Sequence, residues 1–155
     1  MLLTDLLTVD RIRIPLESQS KDDLLRELVD VCVAADGIDD REDVLRAVRE
    51  REAVLSTGIG HGVAIPHGKS AAVPGLRMAA GRSAEPVEFD ALDGNPVSLF
   101  FLLVGPESAA GPHIKALSRI SRMVRKDEVR ERLVAAQTSE EFLRALQDAE
   151  AWATT

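Results

Sequence analysis

Residues 97–104 read VSLFFLLV, eight positions of which Ser98 alone is polar. A strand covered on both faces has this composition, because successive side chains point to opposite sides and each side must then be apolar. The four residues before it, Asp93-Gly94-Asn95-Pro96, are a strong turn signal. The segment therefore predicts a central strand over 97–104, entered from a turn and sandwiched between layers.

Working outward, residues 77–83 are expected to form a partner strand. Arg11 to Leu16 alternates around Ile12 and Ile14 and reads as a short strand closed by Pro15. Ser20 is an N-cap candidate with Asp22 and Asp23 in the first turn. Leu24, Leu25, Leu28, Val29 and Cys32 then recur at helical spacing until Gly37 stops the helix. A second helix starts near Asp39 or Asp40, carries Val44, Leu45 and Val48 inward, and ends before Ser56. Beyond Gly111-Pro112 the spacing is helical again at Ile114, Leu117, Ile120 and Val124. Asp127 and Ser139 read as caps of two further helices ending near Glu150. Strands mixed with helices at both ends predict an α/β fold: a single-domain sandwich over residues 1–155, with a mixed β-sheet flanked by helices.

The chain has 155 residues, 45% of them hydrophobic and 29% charged, the balance of a globular protein with a core of its own. With four Phe, one Trp and no Tyr, that core must be mainly aliphatic. A net charge of −7 argues against general affinity for nucleic acid or anionic lipid. The one cysteine, Cys32, excludes an internal disulfide and reads as a small buried hydrophobe. No apolar run approaches a membrane span, and MLLTDLLTVDR lacks the parts of a signal peptide. A cytoplasmic protein is expected.

Three histidines exist, His61, His67 and His113, and two fall in residues 56–68, STGIGHGVAIPHG. That segment is too rich in glycine for a helix, and a loop leading into a short extended stretch is expected. Gly58, Gly60, Gly62 and Gly68 permit positive φ and a close approach of backbone amides to a ligand, and Pro66 stiffens the chain just before His67. The set describes an imidazole beside an anion cradle. A nucleotide-binding P-loop fits poorly. Five residues separate Gly62 from Gly68-Lys69-Ser70 where four are required, Pro66 removes an amide, and no acidic strand follows. A metal site built from His61, His67, His113 and a carboxylate such as Asp90 stays open, without a ligand spacing to support it. So does a histidine that merely satisfies a tight loop.

Residues 51–70, REAVLSTGIGHGVAIPHGKS, resemble the active-site motif of the fructose/mannitol-type enzyme IIA family of the bacterial sugar phosphotransferase system, including its nitrogen-regulatory, PtsN-like branch. The family pattern is Arg-Glu, a spacer, then Ser-Thr-Gly-x-Gly-x-Gly-x-Ala-x-Pro-His. The resemblance continues through EPVEFDALDGNPVSLFFLLVGP and PHIKALSRISRMVRKDEVRERL and so covers nearly the whole chain. One departure is His61, where Asn is common. The opening LTDLLTVDRIRIPLESQSKDDLLRELV looks more like nitrogen-type than mannitol-type sequences.

The resemblance implies a phosphoryl carrier that accepts the group on His67, with Arg51 and His113 stabilising its oxygens. An HPr protein or its nitrogen-branch counterpart would be the donor. The recipient would be a cysteine of a IIB domain or a regulatory target, and any membrane association would be peripheral, through a permease. No cofactor and no nucleic acid are implied. Imidazole suits this chemistry because it is uncharged near neutral pH and leaves well once phosphorylated. The transition state spreads charge over three oxygens, so positioning and fixed donors do most of the work. Ile59, Val63 and Met78 are candidates for an apolar docking rim, and Arg119, Arg122, Arg125 and Lys126 for a basic one. The alternative is a metal- or ligand-binding regulatory module on the same fold, without phosphotransfer.

Overall fold

The computed structural model describes residues 2–154. Strands β1 (Ile12–Leu16), β2 (Gly58–Gly60), β3 (Val63–Ala64), β4 (His67–Lys69), β5 (Arg77–Val87) and β6 (Val97–Gly105) form one mixed sheet. Helices α1 (Lys21–Asp36), α2 (Arg41–Val54), α3 (Ala110–Met123), α4 (Asp127–Ala135) and α5 (Ser139–Thr154) flank it. The sheet runs β1-β5-β6-β3-β2, with β4 also paired to β6, beyond β3. β5 is antiparallel to β6, whereas β3 and β4 both run parallel to it.

The continuous apolar run of β6 has the expected cause. Leu99, Phe101 and Leu103 enter one core with residues of α3, α4 and α5, while Phe100, Leu102 and Val104 enter a second core with α1 and α2. Each of these side chains is essentially inaccessible, and burying one contributes about 1.5–3 kcal/mol. Cys32 lies in the second core, where burial raises its thiol pKa to about 12. It is a packing residue.

Helix boundaries follow local chemistry. Ser20 Oγ accepts the Asp23 amide at 3.3 Å, and Gly37 at φ 62° ends α1 by returning its amide to the Val33 carbonyl. Asp40 caps α2 through the Asp43 amide. Two expected caps fall elsewhere. Asp127 is the first residue of α4, where a carboxylate is favoured by the helix dipole without capping. Thr138, and not Ser139, accepts the Glu141 amide at the start of α5. Ser139 instead donates to the Ile12 carbonyl and ties α5 to β1. β1 also continues through Pro15 to Leu16, which its place at the sheet edge permits, since an edge proline forfeits no ladder bond there.

Residues 56–68 differ most from expectation. They form a hairpin of β2 and β3, turned at His61-Gly62 with both φ values positive, followed by β4. Gly58 and Gly68 have negative φ, and Gly68 is required for another reason. A Cβ on it would stand 2.9 Å from the Ala47 carbonyl carbon and the Val48 nitrogen of α2. Backbone atoms cannot yield as a side chain can. Gly68→Ala is therefore expected to destabilise the fold by about 1–3 kcal/mol, measured by urea denaturation. An unchanged midpoint would mean that α2 and β4 separate at no cost.

Candidate functional site

His67 opens β4 opposite Leu103 of β6, which sets its ring on the side of the sheet that α3 covers. α3 begins at Ala110, directly after a 3₁₀ turn over Glu107–Ala109, so Gly111 and Pro112 lie inside its first turn. Proline is tolerated there because first-turn amides have no intrahelical acceptor. The buried positions of α3 are His113, Ala116, Ile120 and Met123. Ile114, expected inward, is 67% exposed, and His113 occupies the inward position with 6% exposure. The two imidazoles meet edge to face, centroids 5.3 Å apart.

Nδ1 of His67 lies 2.9 Å from the Ile65 carbonyl oxygen. A carbonyl only accepts, so Nδ1 carries the proton and Nε2 keeps its lone pair. Burial lowers the His67 pKa below 6.5. The Ile65 carbonyl opposes that shift, the charge of Arg51 adds to it, and the charge of Glu52 opposes it. Burial lowers His113 further, to about 4, helped by the charges of His67 and Lys69. Both rings are thus neutral at pH 7. Arg51 sits in the last turn of α2, partly buried, with Nη1 donating to the Leu55 carbonyl at 2.9 Å. Of the sequence candidates, His67 and His113 are in contact, and Arg51 acts on His67 through its charge.

His61 is placed differently. It is the positive-φ residue of the hairpin turn, exposed, with its amide donating to Asp93. Asn and His both tolerate this left-handed backbone better than most residues, which accounts for either at this position. Among the described residues no three His, Cys, Asp or Glu side chains come together as a metal-binding group.

The glycine-rich segment is also less of an amide cradle than expected. The Gly58 amide goes to Ser56 Oγ, that of His61 to Asp93, and that of Ile65 to the Thr57 carbonyl. Two side chains and one backbone carbonyl thus consume donors that an open loop would leave free. The expected rim changes too. Val63 and Met78 are fully buried in the sheet, while Ile59 and Ile114 are exposed. Arg119 and Arg122 lie on α3 about 9 and 14 Å along the helix axis from His113, too far to border the imidazoles.

Glu52 escaped the sequence reading. Its carboxylate is buried and accepts from the Thr57 amide at 2.9 Å, the Thr57 hydroxyl at 2.6 Å and Lys21 Nζ at 3.0 Å. The signal was present, since Leu45, Val48 and Glu52 fall on one helical stripe.

One pH dependence follows. A protonated His67 has no lone pair to attack with, and its pKa lies below 6.5. Any nucleophilic step at this ring is expected to hold its rate from pH 8 to below 6.5, then fall with the fraction of neutral imidazole. Rate profiles matched to an NMR titration of the ring check this. A midpoint above 6.5 would contradict it.

Residues 5–149 match the family "Phosphoenolpyruvate-dependent sugar phosphotransferase system, EIIA 2". The chain is 38% identical over 143 residues to the fructose-specific EIIABC component of Bacillus subtilis, covering 92% of the chain but 22% of that longer protein. It is 36% identical over 140 residues to the nitrogen regulatory protein of Bradyrhizobium diazoefficiens, covering 90% and 91% of the two. The crystal structure of the nitrogen regulatory protein IIA-Ntr from Neisseria meningitidis is similar at 37% identity and a TM-score of 0.86, covering 93% of this chain and 98% of that one.

Proposed function

Because this chain belongs to the EIIA type 2 family of the phosphoenolpyruvate-dependent sugar phosphotransferase system, whose members carry phosphoryl groups on histidine, we propose that His67 is its phosphorylated residue. The observation that carries this reading is the His67 ring itself. It is neutral, half-buried and oriented by Ile65 so that the nitrogen free to attack is Nε2.

In this reading the Nε2 lone pair forms the bond to phosphorus as the N–P bond of a phosphohistidine donor breaks, and that bond's electrons return to the donor ring. The Nδ1 proton stays in place, held by the Ile65 carbonyl, so the phosphorylated ring is cationic beside a phosphoryl dianion. Retaining that proton keeps the ring a good leaving group for the next transfer. His113 supplies an N–H to a phosphoryl oxygen, and the Arg51 guanidinium turns from Leu55 to a second one.

The donor is a phosphohistidine protein of the HPr type. The exposed aliphatic side chains of Ile59 and Ile114 give it an apolar surface, since Ile114 adjoins His113. The recipient is a IIB cysteine in a transport chain. In the nitrogen-regulatory branch, phosphorylation itself alters binding to another protein. Relatives of both kinds are about equally similar. Among the described residues no helix is long and apolar enough to cross a membrane.

The test is incubation with phosphoenolpyruvate, enzyme I and HPr, followed by mapping. One phosphate per chain is expected, acid-labile and base-stable, on His67. Label on His113 would reverse the two roles, and stoichiometric metal removed only by chelators would favour a different function.

A further inference from the structure

Glu52 is an expensive residue in its place. It is buried, and it sits in the last turn of α2, where the helix dipole disfavours a negative charge. Lys21 offsets that charge from α1 at 3.0 Å, and Nζ of Lys21 also approaches Asp90 at 3.7 Å and lies over the Phe89 ring. Both carboxylate oxygens are nonetheless committed to one residue. Oε1 takes the Thr57 amide and Oε2 the Thr57 hydroxyl.

Thr57 is the first link of a chain that ends at the imidazole. Its carbonyl accepts the Ile65 amide at 3.0 Å, and the Ile65 carbonyl takes Nδ1 of His67 at 2.9 Å. The next residue, Pro66, restricts Ile65 to extended backbone and gives its own carbonyl to the Leu103 amide of β6 at 3.0 Å. The Ile65–Pro66 step is thus gripped from the hairpin on one side and from the central strand on the other. Only the first grip depends on a side chain.

We infer that Glu52 is a positioning residue for His67: clamping Thr57, it fixes Ile65, and with it the carbonyl that holds the ring's Nδ1 proton and leaves Nε2 to react. The inference rests on the reading of His67 as the phosphoryl acceptor. Glu52 touches neither the imidazole nor the group transferred. Its charge also supports the cationic phosphorylated ring, against that of Arg51 from the same helix. Of the other charged groups nearby, Lys69 of β4 bears on neutral His113, which faces the ring from α3, and Lys21 of α1 is shared between Glu52 and Asp90 of the β5–β6 connection.

The test reads the imidazole directly, in the whole unphosphorylated chain, by ¹⁵N NMR of the histidine rings. The wild type is expected to hold the Nδ1–H tautomer of His67. Glu52→Gln keeps the shape but removes the charge and one acceptor. It is expected to mix the tautomers, lower the His67 pKa, and slow phosphoryl acceptance about 10- to 100-fold, the size of loss that follows removal of the outer partners of metal-bound histidines. Lys21→Met unmasks the Glu52 charge and is expected to raise the same pKa. Thr57→Val removes the hydroxyl link and reads the tautomer should Glu52→Gln fail to fold. Leu146→Ala in α5, destabilised without touching this chain of bonds, should leave the ring signals where they were. Tautomer and pKa of His67 unmoved in the Glu52, Lys21 and Thr57 variants would overturn the inference. A wild-type chain that holds the tautomer yet takes no phosphate from HPr would instead defeat the acceptor reading.

Discussion

His67→Asn, offered phosphoenolpyruvate, enzyme I and HPr, takes up no acid-labile phosphate. Asparagine is chosen because its amide nitrogen can still donate to the Ile65 carbonyl, so β4 and its pairing with β6 are kept while the attacking nitrogen is lost. Removing a covalent nucleophile costs on the order of 10⁶-fold in rate, which places the variant below detection. His67→Ala should behave alike but lose the bond to Ile65 as well. Persistence of label in both variants would mean that another side chain accepts the group. His113 would then be the first candidate, since it faces the same space. The comparison carries its own control for folding, because an unchanged urea midpoint in the asparagine variant separates lost chemistry from lost structure.

What the sequence made legible was local. Ser20, Gly37 and Asp40 mark helix ends through bonds made within four residues, and those ends lie where the residues indicate. The run at 97–104 is buried on both faces because Ser98, near its start, is its only polar side chain. The reading failed where a choice depended on residues far away. Ile114, Leu117, Ile120 and Val124 form one acceptable helical stripe, and His113, Ala116, Ile120 and Met123 form another. The two share Ile120 and differ by one residue of rotation, and hydropathy favours the first. The helix buries most of both, Leu117, Ile120 and Val124 from the first with all of the second, and the reading fails only at Ile114, which turns to solvent while His113 faces the sheet. The glycines of residues 56–68 misled for a related reason. Positive φ is needed at Gly60 and Gly62, but Gly68 answers to the backbone of α2, twenty residues earlier, a demand invisible without the packing. Glu52 was readable from its stripe, yet a carboxylate in the last turn of a helix resembles a solvated one until its partners are seen.

His113 is expected to divide the two halves of the reaction. In His113→Ala the ring of His67 keeps its bond to Ile65 and its neutral state, and loses only the cover that the His113 ring gives it. Acceptance from HPr should therefore continue, slowed modestly. Onward transfer asks for more, because negative charge on the phosphoryl oxygens must be stabilised as the N–P bond stretches. A fixed N–H aimed at such an oxygen is worth about 10²–10³-fold when removed. The His113 pKa of about 4 sharpens the expectation, since at neutral pH the ring acts as a neutral donor and not as a cation. His113→Gln, which restores an N–H without a titratable ring, should recover part of the transfer rate. Single-turnover transfer from the phosphorylated chain to a IIB domain measures it, with hydrolysis of the phosphoryl group as the second readout. Equal losses in acceptance and transfer would assign His113 to packing against His67. A selective loss in transfer, rescued by glutamine, assigns it to the phosphoryl oxygens.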